Sequence, residues 1–71
     1  MLADGDYDVI VVDAEDDDGA VRLDVTILAG PHKGEVVSVR ARGLAVDPLD
    51  CLGLPGTLTV ADGAPAVRLE R

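Results

Sequence analysis

Val21, Leu23, Val25 and Ile27 alternate with Arg22, Asp24, Thr26 and Leu28. After a Gly30-Pro31-His32-Lys33-Gly34 break, Val37, Val39 and Ala41 alternate with Ser38, Arg40 and Arg42. A period of two on both sides of a Gly/Pro loop predicts an antiparallel hairpin with one buried face. Placing Ile27 opposite Val37 sets Val25 against Val39 and Leu23 against Ala41 inside, and Asp24 against Arg40 outside. A preceding strand is expected from about Asp6 to Ala14. Tyr7, Val9 and Val11 lie on one of its faces, and Ile10, Val12 and Ala14 on the other. Its centre is apolar on both sides, as in a strand covered twice or shared between two sheets. The acidic run Asp13–Asp18 follows and predicts a solvated loop, ending in the favourable turn dipeptide Asp18-Gly19.

The alternation stops at Gly43. Asp47-Pro48 supplies an N-cap followed by proline at the first helical position, and Gly53 suits a left-handed end. One short helical turn is expected from about Pro48 to Leu52, with Leu49 and Leu52 on one side, plugging one end of the fold. Thr57-Leu58-Thr59-Val60 and Ala66-Val67-Arg68-Leu69 flank Asp62-Gly63 and predict a second hairpin. Pro65 has no N–H to give a ladder, which places it at an edge or a bulge. The order is that of an all-β, five-stranded small barrel, OB-fold-like, with one short helical turn between strands three and four; an SH3-like barrel is the alternative. Residues 1–71 make one domain, because no second core can be built from what remains. Val25, Ile27, Val37 and Val39 are expected to form one wall of its core, with Leu58, Val60, Val67 and Leu69 closing the other.

Composition adds two constraints. The core is aliphatic, with Tyr7 the only aromatic residue, and a chain of this length is marginal alone. A protein partner or a second copy is therefore expected, the homodimer joining through strand one or the Pro65 edge. Charge is uneven: residues 1–24 carry nine carboxylates against Arg22, and residues 25–71 carry five against five cations. Such a field repels phosphate and anionic lipid, so nucleic acid is a disfavoured partner. Cys51 is the only cysteine; with an acidic N-terminus unlike an export signal, this fits a reducing cytoplasm. No apolar run approaches the ~18 residues needed to span a bilayer, and no membrane association is expected.

Gly30-Pro31-His32-Lys33-Gly34, set between two strands, resembles the Gly-x-x-Lys-Gly loop of KOW modules, although Val37 stands where those modules place a glycine. The stretch from Gly5-Asp6-Tyr7 to Gly34 also resembles phage-encoded single-strand-binding-like domains, which share a Gly-x-Tyr opening and a Leu-x-Gly-Pro-x-x-Gly turn. Both resemblances imply a small barrel attached to nucleic-acid machinery. His32, Lys33, Arg40 and Arg42 form the candidate binding face, on the loop and outer side of one hairpin. Turn chemistry accounts for the same loop without any ligand. Stacking aromatics, which such nucleic-acid platforms use, are missing apart from Tyr7.

No catalytic, cofactor or metal set can be assembled. Asp13, Glu15, Asp17 and Asp24 fall at EF-hand ligand spacing, but Asp18 occupies the position that requires glycine, and strands rather than helices flank it. Cys51 lies between Asp50 and Leu52, with no cation to lower its pKa, and reads as a packed cysteine. His32 lacks a second His or Cys ligand, and Ser38 lacks a base. The expected function is a noncatalytic binding or interaction module that self-associates. The alternative is a nucleic-acid-associated OB/KOW-like domain using the 32–42 hairpin.

Overall fold

The computed structural model describes residues 2–41 and 47–70. Its elements are β1 (Gly5–Asp17), β2 (Ala20–Ile27), β3 (Val36–Ala41), α1 (Pro48–Cys51), β4 (Pro55–Ala61) and β5 (Ala64–Leu69). They form one antiparallel sheet in the order β3-β2-β1-β4-β5. The fold is all-β, with five strands and one short helix between the third and fourth.

β1 organises this sheet. Its first half, Gly5–Ile10, pairs with β4, and its longer second half, from Val9 to Asp17, pairs with β2. A shared strand of this kind coils the sheet until β3 and β5 touch. No ladder joins β3 to β5 among the described residues, so the sheet is coiled but open. Val37, Val67 and Leu69, expected in the core, are accordingly half-buried along that seam.

The strand faces follow the alternation, but the pairing does not. Val25 lies opposite Val37, Leu23 opposite Val39 and Val21 opposite Ala41, two residues from the expected register. Asp24 therefore faces Ser38, and Arg40 faces Arg22. The loop is the cause. Lys33 N–H donates to Gly30 O (3.1 Å) and Glu35 N–H to His32 O (3.0 Å), so two successive turns tighten it. Ile27 then exchanges bonds with Gly34 and Glu35 (2.8 and 3.0 Å), and the ladder starts two residues early.

The acidic run is strand rather than loop. β1 continues to Asp17, and only Asp18-Gly19 turns, with φ of 53° and 86°. Asp62-Gly63 repeats this geometry (53° and 77°). Positive φ at both central residues is the type I′ hairpin turn, whose twist matches the flanking strands. A bulge between Val11 and Asp13 shifts the β1–β2 register. One extra residue flips the side-chain parity, so Val9 and Val11 are buried, Val12 is 51% exposed, and Ala14 packs against the core opposite Leu23.

α1 forms where the cap predicts it: Asp47 Oδ1 accepts from Leu49 N–H (3.1 Å), and Gly53 follows at φ 80°. Its buried residue is Cys51, at 0% exposure; Leu49 and Leu52 point to solvent, contrary to expectation. The backbone decides this. Gly53 N–H donates to Val11 O (2.9 Å) and Val11 N–H to Leu54 O (3.0 Å), pinning the helix end to β1 with Cys51 inward. Val9, Val11, Val21, Leu23, Val25, Ile27, Val39, Leu58 and Val60 complete the core.

Pro65 sits on the free edge without cost. Glu70 N–H donates to Pro55 O (2.9 Å), and backbone direction alternates along an antiparallel strand, so Pro65, Val67 and Leu69 turn their backbones away from β4. Gly56 is where β5 crosses closest: a Cβ there would lie 2.6 Å from the Arg68 carbonyl oxygen. Backbone cannot yield as a flexible side chain does, so Gly56→Ala should cost about 1–3 kcal/mol. Thermal melting checks this; a variant melting with the parent would show that β5 is not held there.

Candidate functional site

The register lays out the outer face of the sheet as rows of side chains running across the strands. The first contains Arg40 on β3, Arg22 on β2 and Glu15 on β1. Two arginines side by side repel, and carboxylates offset this. Arg40 pairs with Asp17 (3.0 Å), and Arg22 with Glu15 (2.8 Å), with Asp13 and Asp24 near it at 3.8 and 3.9 Å. Arg22 Nε is shielded from solvent without a hydrogen-bond partner among the described residues. The second row is Ser38, Asp24 and Asp13, where Ser38 Oγ donates to Asp24 Oδ1 at 2.6 Å.

The third row changes character. Val36, Thr26, Ile10 and Pro55 follow one another across β3, β2, β1 and β4. Val36 is 59% exposed, and Leu28, just past the end of β2 and opposite Asp8, is 45% exposed. Val12 bulges out of β1 on the opposite side of the row from Leu28, and Leu52, 44% exposed, lies across the Gly53–Val11 hydrogen bond from it. Below this apolar stripe come Asp8 opposite Thr57, then Asp6 opposite Thr59, whose hydroxyl donates to Asp6 at 2.8 Å. The stripe is thus bordered by aspartates on both sides. At its β3 end, Val36 also lines an open groove of about 270 Å³ between the two edge strands, with Leu2, Val37, Val60 and Pro65.

The residues expected to form a basic face are not gathered. His32 donates through Nδ1 to the Glu35 carboxylate, and its ring meets Tyr7 edge to face at 6.1 Å. Lys33 is exposed on the same loop. Arg40 lies near the far end of β3, roughly 15 Å along the strand at about 3.3 Å per residue, and is neutralised by Asp17. Arg42 lies outside the described residues. Among the described residues no group of three or more His, Cys, Asp and Glu could hold a metal ion, and no helix is long and apolar enough to cross a membrane.

The stripe escapes sequence reading in part. Ile10 and Val12 are visible as the second apolar face of strand one, but their alignment with Val36 and Leu28 depends on the register. Comparison with protein-family models finds no match to the chain, and comparisons with curated proteins and with solved structures find none either.

Arg22 is the cation shared by three carboxylates, and Arg22→Ala leaves them adjacent and uncompensated. The pairs are partly exposed, so the loss should be about 1 kcal/mol at low salt, shrinking as salt screens the repulsion. Melting curves at low and high ionic strength check this; a salt-independent loss would assign Arg22 a packing role instead.

Proposed function

We propose that this chain is a noncatalytic protein-interaction module, an OB-like small barrel open at one seam, that docks through the outer stripe of its sheet. The observation that carries the reading is the uncharged row Val36, Thr26, Ile10, Pro55, with exposed Leu28 and Val12 to either side of it, in a face otherwise lined largely with polar and charged residues. The strand order and the helix between β3 and β4 support the OB-like description. Contiguous exposed apolar side chains rimmed by polar ones are the usual mark of such a surface, whereas isolated ones are not. A reducing cytoplasm is the compartment in which the lone Cys51 would stay a thiol.

A nucleic-acid role through His32, Lys33, Arg40 and Arg42 is the second reading, resting on the Gly-Pro-His-Lys-Gly loop. Carboxylates beside His32 and Arg40 weaken it. Affinity for single-stranded oligonucleotides should be weaker than about 10 μM at physiological salt, because phosphate neutralisation supplies most such binding. A tight, salt-sensitive complex lost in Arg40→Glu would favour this second reading.

Position-specific photo-cross-linking in the expressing cell tests the docking surface. A photoreactive residue at Val12 or Val36 should give a discrete adduct, and the same residue at Asp16 should not. Val12→Ser with Val36→Ser should remove competition for that adduct while melting close to the parent, since exposed substitutions cost little. Equal adducts from all three positions, or none, would remove the stripe as a docking surface.

A further inference from the structure

We propose that the outer stripe receives a protein segment whose apolar ridge is flanked by lysine or arginine, and not a second copy of this chain. This rests on the docking reading above and adds the chemistry of the partner. Asp13 and Asp24 border the stripe on one side, Asp8 and Asp6 on the other. Of the sheet cations nearest them, one is committed and one distant, while Lys33 is exposed on the loop that joins Leu28 to Val36. Arg22 is held by Glu15 at 2.8 Å. Arg68 stands two strands from Asp8, across Thr57, about 10 Å away at the usual strand spacing. Asp8 has no ion pair with another described residue, and Asp13 meets its one cation only at 3.8 Å.

A second copy would bring the same aspartates to the same interface, on a chain of net charge −8. Like charges placed face to face penalise the wrong partner, while opposite ones steer and orient the right one. Size points the same way. Four strands at about 4.8 Å spacing, one outward position or about 7 Å deep, give roughly 130 Å². Leu28 and Val12 enlarge this to a few hundred Å² at most, of the order found on monomers and often functional. That is short of the roughly 800 Å² per partner of stable complexes. The contact is therefore transient, and its rim charges set its rate and orientation.

Purified protein is titrated against three dye-labelled peptides: a helical peptide with a leucine face bordered by lysines, its glutamate-bordered counterpart, and a lysine–serine peptide of the same charge as the first. The leucine–lysine peptide should bind and the other two should not. Asp8→Asn with Asp13→Asn should weaken binding about two- to fivefold per carboxylate, as should Val12→Ser with Val36→Ser, whereas Asp16→Asn with Asp18→Asn at the remote turn should not. Equal loss from both aspartate pairs, or equal binding of the lysine–serine peptide, would mean unspecific attraction and overturn the proposal. Binding of the glutamate-bordered peptide, or dimerisation abolished by Val36→Ser in light scattering, would overturn the partner chemistry and leave the docking surface standing. If no peptide binds, the proposal fails; if binding ignores Val12 and Val36, the docking surface fails with it.

Discussion

Every other element depends on β1 serving two neighbours in turn: its first half is paired to β4 and its second half to β2, the two shares overlapping at Val9 and Ile10. Asp8 and Ile10 turn their peptide groups to β2 and the loop after it, as Leu28 N–H donating to Asp8 O (2.8 Å) records; Val9 and Val11 turn theirs to β4 and the end of α1. A strand longer than either neighbour's share must bend to serve both. The bulge after Val11 falls within the β2 share, just past the last residue paired with β4. It lets one strand present Val9 and Val11 and then, with parity reversed, Ala14 to a single core. Without an aromatic residue buried at its centre, that core relies on the close aliphatic packing that the bend creates.

The same bend separates the charges from the apolar surface. Beyond the bulge, outward positions carry Asp13, Glu15 and Asp17, interleaved with Arg22 and Arg40 from the neighbouring strands. Before it, Ile10 is the one outward apolar residue of β1, and cross-strand neighbours extend it into a stripe. Aspartates above and below keep this stripe from becoming an adhesive sheet face. Edge protection follows similar logic. Pro65 removes a donor from the free side of β5, and Arg40 puts a charge on β3, both of which discourage edge-to-edge pairing with another copy. The molecule is guarded along its edges and left open on one face.

Several features are local in origin and legible in the chain. Period-two alternation assigns Leu23, Val25, Ile27 and Val39 to the buried face, Asp18-Gly19 and Asp62-Gly63 make I′ turns because Gly and Asp tolerate positive φ, and Asp47-Pro48 caps a helix. Other features were decided only by the tertiary structure. A slip of two residues leaves every side chain on its original face, so the hydrophobic pattern could not tell Val25–Val39 pairing from Val25–Val37; the hydrogen bonds of the 28–35 loop did. Acidic residues tolerate strand geometry when cross-strand arginines offset their charge, which is why Asp13–Asp17 is strand although its composition reads as loop. The apolar stripe and the separation of His32, on the loop, from Arg40, on β3, both follow from that register. Faces are a property of each strand alone, and the sequence determines them; neighbours across strands depend on loop closure and a bulge, which only the folded sheet decides.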